Sequence, residues 1–160
     1  MEKRREFIAV DAHKGRTVVA RLTPGTDLVT GIDLVCKAHN IKYGYFGSVI
    51  GSLQKAKFVI AIPDANELLG FKYGDPVEIA GPIEVICGQG VICQSEQGER
   101  MIHLHVQCVT SEHRSFGGHF SAGDNPVLAT IDLVIVEVDG AKMLRRFDPE
   151  SGMAMMSPEL

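Results

Sequence analysis

His103 and His105 alternate with Leu104 and Val106 in the segment Ile102-His103-Leu104-His105-Val106-Gln107-Cys108-Val109. Successive side chains of a strand point to opposite faces, so Ile102, Leu104, Val106 and Cys108 would form an apolar face and His103, His105 and Gln107 a polar one. The two imidazoles then stand side by side, about 7 Å apart along the backbone, and can converge on one ion. A third histidine sits in Phe116-Gly117-Gly118-His119-Phe120, where two glycines let the backbone fold tightly and aim His119 back at the strand. Three neutral imidazoles suit zinc, or another late first-row divalent metal, and leave a coordination position for water or substrate. The expected cofactor is therefore a divalent metal, zinc foremost, with His103, His105 and His119 as its ligands. Half of the six histidines are spent in this arrangement. His13, His39 and His113 read as surface or loop residues, with His113 near enough in sequence to support a ligand from behind. Glu112, Asp124 and Asp132 are candidate carboxylate partners among which spacing does not choose. With no general base fixed beside the histidines, no catalytic residue is assigned.

Other chemistries find little support. Gly88-Gln89-Gly90 lacks the third glycine of a dinucleotide fingerprint and a following helix, and reads as a bulge or hairpin turn. Neither a phosphate-loop Gly-Lys-Ser/Thr step nor a Gly-x-Ser-x-Gly elbow occurs, so phosphoryl transfer and serine hydrolysis are set aside. Ser48 and Ser52 lie among small residues that suit close strand packing.

The elements that must position the histidines are mostly strands. Phe7 to Val10 and Thr17 to Leu22 read as the first two, separated by Lys14-Gly15. Thr23-Pro24-Gly25-Thr26-Asp27 supplies a turn and an N-cap ahead of Leu28, Val29, Ile32, Val35 and Cys36 at helical spacing, predicting one helix that ends near His39-Asn40. Tyr43 to Leu53, Ala56 to Ile62, Val77 to Ala80, Ile83 to Cys93, Met101 to Thr110 and Ala129 to Val138 read as further strands. Pro63 to Pro76 and Ser111 to Pro126 read as long loops, the first able to pack down as a short helical lid through Leu68, Leu69 and Phe71. The pattern predicts a single α+β (α/β) domain, a twisted, mostly antiparallel sheet covered by one main helix. Residues 1–15 would form an N-terminal extension with the first strand, 16–146 the domain, and 147–160 a frayed tail or an arm to a neighbouring subunit.

Composition narrows the function classes. The chain has 160 residues, 45% hydrophobic and 22% charged, as expected of one globular domain. A net charge of -4 gives no general basic field for a polyanion. Clustered positive charge is confined to Lys3-Arg4-Arg5 and Arg145-Arg146, which read as solvated. No apolar run approaches the roughly 18 to 20 residues of a membrane-spanning helix, and no signal peptide is read, so a cytoplasmic protein is expected. Cys36, Cys87, Cys93 and Cys108 form no Cys-x-x-Cys pair and read as reduced, partly buried thiols. Ile131 to Val136 is apolar on both faces, more than one helix covers, which points to self-association.

Several segments together resemble a known family. Arg21-Leu22-Thr23-Pro24-Gly25-Thr26-Asp27-Leu28, Ile50-Gly51-Ser52-Leu53, Gly81-Pro82-Ile83-Glu84-Val85-Ile86, His103-Leu104-His105-Val106 and Gly117-Gly118-His119-Phe120 follow the order seen in the PPC (plants and prokaryotes conserved) domain, over about Val18 to Glu137. The histidine blocks are the most specific parts. The resemblance implies a twisted, largely antiparallel sheet with one helix, a homotrimer, and, as in prokaryotic members, a metal on His103, His105 and His119. Plant members carry an AT-hook for DNA and use the stretch matching Gly81 to Ile86 to meet transcription factors. Here Pro82 replaces the usual basic residue and no Arg-Gly-Arg-Pro hook occurs. DNA is accordingly expected to bind weakly or only indirectly, and a protein partner stays open. The expected function is a trimeric metal-binding module with a regulatory, transcription-related role. The alternative is a metal-dependent hydrolase or lyase acting on a small molecule through metal-bound water.

Overall fold

In the computed structural model, which describes residues 6–160, one helix and ten strands follow the order β1 (His13–Leu22), α1 (Leu28–Ala38), β2 (Gly44–Val59), β3 (Ala61–Pro63), β4 (Phe71–Tyr73), β5 (Val77–Ser95), β6 (Arg100–Thr110), β7 (Ser115–Phe120), β8 (Val127–Asp139), β9 (Lys142–Asp148) and β10 (Met153–Glu159). Eight strands form one sheet in the order β1-β8-β2-β7-β6-β5-β9-β10, and β3 and β4 form a separate small hairpin. Every pairing is antiparallel except the short β5–β9 contact. The α+β expectation of a mostly antiparallel sheet with one helix holds.

The length of β2 shapes the sheet. One edge pairs with β5; the other serves β8 from Gly44 to Leu53 and then β7 at Phe58 and Val59. Since β7 pairs with β6 and β6 with β5, the strands β2, β5, β6 and β7 close into a ring. Register shifts at Phe46/Ser48, Gly51/Leu53 and Leu53/Lys55 give β2 the local bends that closure needs. Gly51 lies at φ +146 with its α-carbon against the Thr130 carbonyl, where a side chain has no room.

Phe46, Leu53, Phe58, Leu104, Val106, Cys108 and Phe120 are buried in one core with Leu28, Val29, Ile32 and Cys36 from the helix. Asp27 caps that helix by accepting from the Thr30 amide at 2.9 Å, and its second oxygen accepts from the Asn125 amide at 3.0 Å. The fully buried Asn125 accepts from the Lys57 amide at 2.7 Å and donates to the carbonyls of Ser121 and Gly123. This knot ties the segment after β7 to both the helix start and β2, with every buried polar group of the amide matched.

Several boundaries depart from expectation. Phe7 to Val10 lies outside regular structure, and β1 runs through Lys14-Gly15 with an irregular register between Lys14 and Thr17. The separate strands expected on either side of Gly81-Pro82 are one strand, β5, that passes through a cis Gly81–Pro82 bond. Gly88 and Gly90 lie inside β5 rather than at a turn: Gly88 faces the Val49 side chain, and Gly90 lies against the His103 carbonyl. Their missing side chains admit neighbours. Pro63 to Pro76 carries the turn and second strand of the β3–β4 hairpin in place of a helical lid. The expected tail pairs with β9 as β10, from Met153 opposite Asp148 to Glu159 opposite Lys142.

Candidate metal centre

Strand β6 follows the alternation read from its sequence. Leu104, Val106 and Cys108 point into the core, while His103, His105 and Gln107 occupy the opposite face. His119 is delivered differently from expectation. It is a residue of β7, directly opposite His105 on one side and Val59 of β2 on the other, and cross-strand partners share a face. Gly117 and Gly118 make no turn; they let strands approach. The α-carbon of Gly117 lies against the Val106 carbonyl, and a β-carbon on Gly118 would come within 2.6 Å of the Phe58 ring.

The three side chains converge. Ring centroids lie 5.0 Å apart for His103 and His105, 5.1 Å for His103 and His119, and 5.3 Å for His105 and His119. One ring nitrogen from each lies within 4.8 Å of the others, and the Nε2 atoms of His103 and His105 are 3.1 Å apart. The His119 Nδ1 atom is buried without a hydrogen-bond partner. A nitrogen withdrawn from water and left without a donor or acceptor fits a ligand position. Burial first, then Arg145, His119 and His105, push His103 down to about 4. His119 is lowered by burial, His105 and Arg145. Both groups therefore stay neutral and able to ligate a metal below the ordinary histidine range.

None of the candidate carboxylates joins the cluster among the described residues. Asp124 is paired with Lys55 and Lys57 at 3.0 Å each. Glu112 accepts from the Ser111 hydroxyl in the β6–β7 turn, and Asp132 from the Thr130 hydroxyl. His113 occupies that same turn at φ 61, and His13 and His39 are exposed elsewhere. Cys36, Cys93 and Cys108 are buried and Cys87 is exposed, all as free thiols. Burial raises the first two to about 11 and Cys108 to about 12, so the buried three are inert.

Two neighbours of the centre escaped sequence reasoning. Tyr73, on β4, places its ring 5.7 Å from that of His119. Arg145, on β9, is close enough for its charge to act on both His103 and His119. A cleft of about 140 Å³ opens beside His119, walled by Lys57, Phe58, Val59, Pro76 and Asp124 among others.

Fold and site together define a small, mostly antiparallel β-domain with one helix and a cluster of three histidines outside its core. The Plants and Prokaryotes Conserved (PCC) domain model matches residues 10–139, and the chain belongs to that family. A plant- and prokaryote-conserved (PPC) protein from Pyrococcus horikoshii is 26% identical, with a TM-score of 0.76 over 96% of this chain and 99% of that one. A metal-containing protein from Archaeoglobus fulgidus shares the fold at 21% identity, with a TM-score of 0.79 over 94% of this chain and 99% of that one. The bifunctional protein GlmU of Synechococcus sp. (strain JA-2-3B'a(2-13)) is 24% identical over 132 residues, 82% of this chain but only 18% of the length of that protein. Among the described residues, no helix is long and apolar enough to cross a membrane.

Proposed function

We propose that the protein is a metal-binding regulatory module in which His103, His105 and His119 hold one divalent cation, zinc foremost. The observation that carries this reading is the convergence of three ring nitrogens within 4.8 Å with His119 Nδ1 orphaned among protein atoms. The metal content of the Archaeoglobus fulgidus relative supports it. A zinc ion would supply Lewis acidity and one further coordination position. No carboxylate joins the cluster among the described residues, so it offers no carboxylate general base and the reading stays with metal binding. Metal analysis of the purified chain and its histidine variants tests the reading.

The proposed assembly is a homotrimer. Val19 is 78% exposed opposite Val134 on the outer side of the sheet, and Ile50, Tyr45 and Ile86 are exposed as well. An apolar surface of this kind is covered in stable proteins by another chain. Light scattering coupled to size exclusion should give three times the chain mass of 17.4 kDa. A monomer at micromolar concentration would contradict the assembly.

Weak, unselective DNA binding is also expected. Arg146 is engaged by Glu159 at 2.9 Å and Glu96 at 3.9 Å, which leaves Arg145 as a single cation rather than one of a basic pair. The Lys3-Arg4-Arg5 cluster lies outside the described residues. Gel-shift titration at physiological salt should show no preference for an AT-rich duplex. Sub-micromolar, AT-selective binding would overturn this expectation.

A further inference from the structure

Arg145 lies opposite Ser95 in the β5–β9 pairing, and paired residues share a face. Along β5, Ser95, Cys93 and Val91 alternate onto that face, with Cys93 opposite Met101 and Val91 opposite His103. The topology thus brings a guanidinium from near the end of the chain to the face that carries the three imidazoles.

Its own partners are incomplete. Nη2 donates to the Ala154 carbonyl at 2.8 Å, Nε is buried with no partner, and no carboxylate pairs with Arg145 among the described residues. Arg146, one position on, has two carboxylates.

The Arg145 Nε is buried with its hydrogen-bonding capacity unmet, and a divalent cation on three neutral imidazoles on the same face would add two further positive charges. Such a site is completed by an anion. The two hosts select the same chemistry: a guanidinium presents a planar fork of N–H donors that matches a carboxylate, and the open position on zinc accepts an oxygen.

We propose that Arg145 is the anion-recognition residue of the three-histidine centre and selects a small carboxylate as its ligand. This rests on the metal-centre reading above. It also gives the regulatory module something to sense: a carboxylate metabolite that engages the metal and Arg145 together.

Cobalt(II) substitution gives a readout independent of any activity, because its visible bands respond to the ligand in the open position. The protein would be loaded with cobalt and titrated with acetate and, as a neutral isostere, acetamide, at fixed ionic strength. Acetate should bind saturably and shift the bands, and acetamide should not. Arg145→Met should weaken acetate at least about tenfold while leaving the cobalt stoichiometry unchanged. Arg145→Lys, which keeps the charge but not the fork, should fall between the two, and it decides the question if the methionine variant is unstable. Unchanged acetate affinity in either variant, or equal binding of acetamide, overturns the role of Arg145 and leaves the metal centre standing. Failure of the wild-type chain to take up cobalt or zinc overturns both.

Discussion

Replacing Phe120 with alanine should destabilise the protein by about 3 to 5 kcal/mol, the range for removing a large aromatic from a packed core. Phe120 is fully buried, opposite Leu104 on β6 and Phe58 on β2, at the point where the ring of strands closes. Its ring stacks on Phe58 at a centroid distance of 5.6 Å and an interplanar angle of 11°, and Phe58 stacks in turn on Phe116 at 5.4 Å. Truncation removes the buried area and the central partner of Phe58, and strands fixed on three sides cannot collapse to fill the space. Because His119 is the preceding residue, the same change should loosen the centre and weaken metal binding. Denaturant unfolding of the metal-free protein isolates the packing effect; a loss below about 1 kcal/mol would mean that closure of the ring does not depend on this cluster.

Local pattern carried the parts of the fold whose cause is local. The alternation through β6 assigned every side chain from Leu104 to Cys108 to its observed face. Asp27 ahead of Leu28 signalled the helix start, and the structure adds the reason for its precision, the second bond from Asp27 to the Asn125 amide. What failed was non-local. Glycines at 81, 88, 90, 117 and 118 look like punctuation in sequence, yet they serve strands that pass too close to a neighbour for a β-carbon. That neighbour is set by tertiary register, which no window of sequence contains. The end of the chain follows the same rule: Met153 to Glu159 has little strand propensity in Pro158 and Glu159, and is ordered by pairing with β9 rather than frayed.

The site divides along the same line. His103 and His105 are close because they lie two apart on one strand, so their convergence is legible without a structure. His119 joins the cluster as a cross-strand partner of His105 rather than as the end of a folded loop. Tyr73 and Arg145 reach the centre through a hairpin and through a parallel contact between β5 and β9. In Arg145-Arg146 the sequence offers two adjacent cations that point to opposite faces, and only the pairing with Ser95 says which one meets the histidines.

Alanine at any one of His103, His105 or His119 should remove most of the bound metal while the chain stays folded. Loss of one of three imidazoles leaves two ligands, too few to hold zinc against solvent, whereas the core lies on the other face of the strands and is untouched. The pH dependence follows from the depressed groups. Protons compete with metal for imidazole nitrogen, and His103, held down to about 4 against an ordinary value of 6.5, resists that competition. Metal retention should therefore extend below pH 6.5 and be lost as the pH falls toward about 4.

The most direct test is the metal content of the purified protein as wild type, His119→Ala and His39→Ala. His39 is exposed at the helix C-terminus, away from the cluster, and serves as the control. We expect about one zinc per chain in the wild type and the His39 variant, and a small fraction of that in the His119 variant. Full retention of metal after His119→Ala, or equal loss after His39→Ala, would contradict a centre built from His103, His105 and His119.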